Sequence, residues 1–214
     1  MSVAQAVSEA RDVQAFDRRA ARYDAGWLGE WHRELVRRVA EIVRTLDVAP
    51  SAVLDVGCGT GRLLTVLAQM LPTSAELVGI DPAPGMVNAA IAASRPTARI
   101  RFEQAAAESL PFADDAFDLI LSTVAFDHWA DQQAGLCECA RVLHPTGTLL
   151  LVDLLAPWLW LTTLRRRRRA RTPRQLAHLL HEATLRPVEW RPVMDLGPLS
   201  LIQAVIAKSS ALSS

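Results

Sequence analysis

Apolar positions along the chain switch between two periods. Short apolar runs of strand type occur at Val53-Leu54-Asp55-Val56, Glu76 to Asp81, 99–104, Phe117 to Leu121 and 148–153. Between them lie stretches with helical spacing: Arg62 to Met70, 85–93 and 131–143. Two more helical stretches precede the first strand. One runs from Ala10 to Arg22; the other, roughly Gly29 to Leu46, carries Leu35, Val39, Ile42, Val43 and Leu46 as its stripe. After the fifth strand comes a helix over 173–183, opened by Thr172-Pro173. Two strand-like runs follow, 186–194 and 199–207, separated by Asp195-Leu196-Gly197-Pro198. Strands alternating with helices predict an α/β domain built on a parallel sheet.

Composition narrows this picture. At 214 residues the chain makes one domain of ordinary size, long enough for a full sheet with helices on both faces. Its formal net charge of zero argues against a nucleic-acid binder, which would carry a global basic excess. Lys208 is the single lysine among many arginines, a mark of genomic composition more than of chemistry. Cys58, Cys137 and Cys139 are odd in number and lack metal-ligand spacing, so a reduced, cytoplasmic protein with no metal is expected. The first residues are too polar for the core of a signal peptide. The longest apolar stretch, Leu149 to Leu164, contains Asp153 and Pro157 and is too short to span a bilayer.

The chemistry concentrates at Val53-Leu54-Asp55-Val56-Gly57-Cys58-Gly59-Thr60-Gly61, where a strand enters a loop with glycine at every second position and then a helix. Glycine lets the backbone turn sharply and keeps side chains from between the amides and a ligand. Open parallel sheets place nucleotides or nucleosides at such loops. Asp81 lies twenty residues beyond Gly61, which puts it at the tip of the neighbouring strand, where a carboxylate can accept both hydroxyls of a ribose. The bland alternative is a tight turn with a helix-capping acid. A dinucleotide site is disfavoured, because its third glycine would fall where Arg62 stands.

Four blocks in order, VLDVGCGTG at 53–61, GIDPAPGM at 79–86, AESLPFADDAFDLILS at 107–122 and ARVLHPTGTLLLVD at 140–153, resemble the class I S-adenosylmethionine-dependent methyltransferases, in their small-molecule branch. The resemblance implies a Rossmann-like, doubly wound, mostly parallel seven-stranded sheet with an antiparallel C-terminal edge hairpin. It implies S-adenosyl-L-methionine as cofactor. Asp55, Gly57, Cys58, Gly59 and Gly61 would form the loop at its methionine end, with Cys58 as filler. Asp81 would take the ribose, and Pro82 and Met86 would flank the adenine, opposite Ala107 and Glu108. Ser122, at the end of the third block, completes the set. Tyr23 ends a segment, 15–24, that in the family folds over the cofactor; a helix-end aromatic packed on the core is the other reading. Many relatives carry an aspartate where this chain has Ala106, so the adenine amine loses its usual acceptor. Residues 1–50 are expected to form a helical cap on the core 51–214, with a short acceptor lid around 154–172.

Methyl transfer from a sulfonium needs an in-line nucleophile and exclusion of water, and a base only where the acceptor arrives protonated. His128, with Asp127 as a weaker candidate, could take that proton, and Asp153 could order either one. A loop histidine bonded to a carbonyl is the alternative. Leu154 to Leu161 is apolar with Trp158 and Trp160, and Arg165 to Arg169 follow. A helix buried on the sheet, a lid over an apolar pocket and a contact with anionic lipid all fit this stretch. The expected acceptor is small and largely apolar, methylated on oxygen or nitrogen. A lipid or quinone acceptor, or cofactor binding without catalysis, remains open. A monomer or homodimer is expected, without nucleic acid.

Overall fold

The computed structural model describes residues 13–20, 23–94, 99–155, 171–196 and 199–210, with side chains 195–201 left aside. Seven strands form one sheet in the order β3-β2-β1-β4-β5-β7-β6. They are β1 (Ala52–Val56), β2 (Glu76–Asp81), β3 (Ile100–Gln104), β4 (Phe117–Thr123), β5 (Leu143–Leu154), β6 (Leu185–Leu196) and β7 (Leu199–Ser209). The first five pair in parallel. β7 inserts antiparallel between β5 and β6 and closes that edge, as the resemblance implied. The chain order reverses between β1 and β4, which opens a crevice at their carboxyl ends.

The helices are α1 over 13–19, α2 (Gly26–Thr45), α3 (Arg62–Met70), α4 (Pro84–Ala93), α5 (Gln132–Val142) and α6 (Pro173–Glu182). Successive residues of β1 serve opposite faces. Val53 joins a cluster with Leu35, Val39 and Leu64 of α2 and α3, while Leu54 joins Leu136, Val142 and Leu180 of α5 and α6. A strand covered on both sides has no reason to alternate with polar residues, and that explains the near-continuous apolar runs. Each such side chain, removed from water, contributes about 1.5–3 kcal/mol. α4 rests on β2 and β3. Sharp local signals set some ends: Thr172 and Gln175 cap α6 reciprocally, and the Asp131 carboxylate accepts the amides of Gln133 and Ala134 to start α5.

Two expectations change. α2 begins at Gly26 and lies along the sheet, burying Leu35, Val36, Val39, Ala40 and Val43. It is one of the covering layers, and only its first turns reach the crevice. β5 begins at Leu143 rather than 148, because Leu143 pairs with Phe117 before the chain bulges through His144–Gly147 and resumes at Thr148 opposite Leu119. The expected lid falls mainly on 156–170, which lie outside the described residues, as do Trp158, Trp160 and Arg165 to Arg169.

Candidate active site

The crevice holds a cavity whose walls come from α1, the turn into α2, the ends of β1, β2 and β4, and residues 105–108. After β1 the backbone turns through Gly57, Gly59 and Gly61, at φ of 78°, 53° and 72°. The amides of Gly57 and Cys58 donate to the Ile80 carbonyl at 2.8 and 2.9 Å and tie the loop to β2. A methyl group on Gly57 would stand 2.4 Å from the Ala125 Cβ; around Gly59 the corresponding space is empty. Gly61 serves packing instead: it caps α3, and the Phe102 ring fills the space beside it.

Asp81 closes β2. Its Oδ2 accepts the Gly59 amide at 3.0 Å and its Oδ1 the Ala83 amide at 2.9 Å. Burial pushes this carboxyl up, against those two bonds. Asp55 is more extreme. It is 2 % exposed, and its Oδ1 has no hydrogen-bond partner among the described residues. Burial, then the Asp81 charge, pushes it up to about 7. A buried, unpartnered carboxylate oxygen on a cavity wall fits an incoming cationic donor, and the open Gly59 backbone fits a ligand lying against it. The cavity therefore suits the ammonium and ribose of the implied cofactor.

Cys58, Pro82, Met86, Ala106, Ala107 and Glu108 also line this cavity. Burial raises the Cys58 thiol well above its ordinary value, which keeps it a thiol and an inert wall group. Glu108 Oε1 accepts the Asp131 amide at 3.0 Å, so it anchors the loop before α5. Glu103 is drawn to Arg101 at 3.0 Å and does not replace the missing adenine acceptor.

At the end of β4, Ser122 is fully buried within the sheet and is not on the cavity wall; Thr123, Val124 and Ala125 are. Val124 is held at φ 51°, costly for a β-branched residue, with its amide donating to the Val152 carbonyl at 2.7 Å. The chain then makes a single 3-10 turn, Phe126–His128. Asp153 Oδ2 accepts the amides of Phe126 at 2.9 Å and Asp127 at 3.4 Å and so fixes this turn from β5. His128 faces the cavity, with Nε2 3.3 Å from Asp127 Oδ1, while Asp127 points behind it. Burial, then the Asp127 charge, raises Asp153.

Four rings run across the mouth. His128 meets Phe16 edge to face at 4.8 Å, Phe16 meets Tyr23 at 6.3 Å, and Tyr23 meets His32 at 5.3 Å. α1 is held down where the Gly85 amide donates to Asp17 Oδ1 at 2.6 Å. His32 and the Thr123–Ala125 corner are among the wall residues that sequence reasoning missed. His32 looked like one polar position of an amphipathic helix. The corner sat just past a strand whose end was read two residues early.

Residues 54–151 match the methyltransferase domain family. A demethylmenaquinone methyltransferase of Thermus thermophilus is 40% identical over 124 residues, 56% of this chain and 54% of that protein. A malonyl-[acyl-carrier protein] O-methyltransferase of Hahella chejuensis is 34% identical over 155 residues, 72% of this chain and 53% of that protein. The chain thus spans about half the length of these curated relatives. Among solved structures, the YcgJ protein of Bacillus subtilis superposes with a TM-score of 0.63 at 28% identity, over 75% of this chain and 72% of that one. Sheet order, glycine loop and matched residues agree: 54–151 form a methyltransferase domain, on the fold of the class I S-adenosylmethionine-dependent methyltransferases.

Proposed function

We propose that the chain binds S-adenosylmethionine and methylates an oxygen or nitrogen of a small, largely apolar acceptor. The observation that carries this reading is the pairing of Asp55, whose buried Oδ1 has no partner among the described residues, with Asp81 across an open glycine loop. Asp81 takes the ribose hydroxyls on the lone pairs that Gly59 and Ala83 leave free. Asp55 meets the ammonium. Pro82 and Met86 flank the adenine opposite Ala107, Glu108 holds the loop behind it, and Tyr23 covers the mouth. Gly57, Cys58 and Gly59 shape the wall; Gly61 and Ser122 are framework. Bound S-adenosylmethionine supplies a methyl group on a sulfonium that leaves as a neutral thioether. The chain must therefore orient the acceptor and exclude water. Where the acceptor is protonated, His128 removes its proton, steadied by Asp127 and by the turn that Asp153 holds.

Apolar wall residues such as Val13, Phe16, Val36 and Val124 support an apolar acceptor. Titration calorimetry with S-adenosylhomocysteine tests the first half of the proposal, and no binding at millimolar ligand sinks it. Methyl transfer to a panel of phenols, amines and carboxylic acids tests the second half. Binding without transfer to any of them would favour a non-catalytic role.

The Thermus thermophilus relative favours a second reading, a quinone-like acceptor taken from a membrane surface. Among the described residues no helix is long and apolar enough to cross a membrane. Salt-sensitive adsorption to anionic vesicles, lost when Arg165 to Arg169 are neutralised, is its expected sign.

A further inference from the structure

The cavity wall is rich in acids, and two of its described residues can carry positive charge, His32 and His128. His128 lies on the β4 side with Phe16. His32 lies on α2 and is tied to the glycine loop through one carboxylate. Asp24 Oδ1 is 3.6 Å from His32 Nδ1 and accepts from Nε of Arg62, the first residue of α3, at 3.2 Å. The turn that carries Asp24 is built for this. Gly26 takes φ 63°, and the Asp24 carbonyl sits where a side chain on Gly29 would stand. The His32 ring, then the Arg62 guanidinium, hold Asp24 well below the usual carboxylate range, against its partial burial. Arg62 balances the Asp24 charge, so a protonated His32 leaves the trio one positive charge in excess.

An amino-acid ligand whose ammonium meets Asp55 brings its carboxylate along on the same carbon. That carboxylate needs a donor, or the acidic wall repels it. We infer that His32, positioned by Asp24, binds the carboxylate of the cofactor's methionine end and so selects amino-acid-bearing adenosyl ligands over those lacking it. This rests on the proposed cofactor reading. With Nδ1–H turned toward Asp24, the imidazolium donates a charged hydrogen bond from Nε2.

Calorimetry on the full chain with three probes tests it: S-adenosylhomocysteine, its decarboxylated analogue that keeps the amine, and methylthioadenosine. The unaltered chain should prefer the first over the second by about tenfold or more, the scale of one charge-assisted bond. His32→Ala should erase most of that preference by weakening S-adenosylhomocysteine alone, and His32→Arg should restore part of it. An unchanged preference in His32→Ala, or equal weakening of all three ligands, overturns the inference. Failure of the unaltered chain to bind any probe overturns the cofactor reading itself. If His32→Ala does not fold, the imidazole proton resonances of His32 in the unaltered chain decide. They should shift with S-adenosylhomocysteine and stay put with the decarboxylated analogue, and equal shifts reject the role.

Discussion

The two ends of the same parallel strands treat aspartate in opposite ways. At the amino end, Asp118 of β4 accepts the Ser51 amide at 2.8 Å, the Ser51 hydroxyl at 2.6 Å and the Ala52 amide at 3.1 Å. Partial burial opposes ionisation there, but these bonds outweigh it and hold the carboxyl below its ordinary value. At the carboxyl end Asp55, Asp81 and Asp153 are buried, and burial pushes each up, Asp153 even though it accepts three backbone amides. Asp118 stabilises the fold, while Asp55 and Asp81 weaken the empty protein at the wall where the cofactor is proposed to bind.

Substitutions can break this contrast. Asp81→Ala should have the largest effect, weakening S-adenosylhomocysteine at least about 100-fold, since two charge-assisted bonds are lost at about 1.5–3 kcal/mol each. Calorimetry measures it, and a loss below tenfold would remove Asp81 from the ribose site. Asp55→Asn should do two opposite things. A carboxyl raised to about 7 stabilises the fold below its unfolded value of 3.8 and loses that contribution as pH rises through 7. At pH 8 the amide should thus make the empty protein more stable, by at most about 4 kcal/mol, and flatten the decline between pH 4 and 7. Denaturant melts across pH would show it, and cofactor affinity should fall at the same time.

Asp118→Ala is the control from the other end of the sheet. Three hydrogen bonds are lost, so stability should drop by about 1–3 kcal/mol while S-adenosylhomocysteine affinity is unchanged. The sign with pH is reversed. Its contribution is present above the ordinary value of 3.8 and is lost as pH falls through the depressed one, so variant and parent should converge in acid. The smallest effect sharpens the point about strain. Thr184, exposed just after α6 at φ 57°, sits where glycine is preferred, and it lies far along the chain from the cavity residues. Thr184→Gly should raise stability by about 0.5–1 kcal/mol in thermal melts with binding untouched. A destabilised variant would mean its side chain packs more than its exposure indicates.

Much of the site was legible because its chemistry is local. The glycine spacing, Asp81 at a strand tip and the apolar runs each depend on a few adjacent residues. Asp55, Asp81, Cys58, Pro82, Met86, Ala107, Glu108, Tyr23 and His128 lie on one cavity wall. Ser122 and Asp127 did not reach it, since a one-residue step reverses the side chain along a strand and rotates it by about a third of a turn along a 3-10 helix. Glu108 reached the wall with its carboxylate already engaged by Asp131, a partner 23 residues away.

By itself the sequence determined the order of elements, the turning glycines and the acids that end β1 and β2, because periodicity and backbone freedom are properties of short stretches. Tertiary structure alone decided that α2 covers the sheet and brings His32 to the cavity that the glycine loop lines. It also set Asp24 between His32 and Arg62, 38 residues apart from the latter. It left Asp55 buried beside Asp81, with an oxygen unpartnered. Charge state and partnership depend on which distant groups share a desolvated space, and no local pattern carries that information.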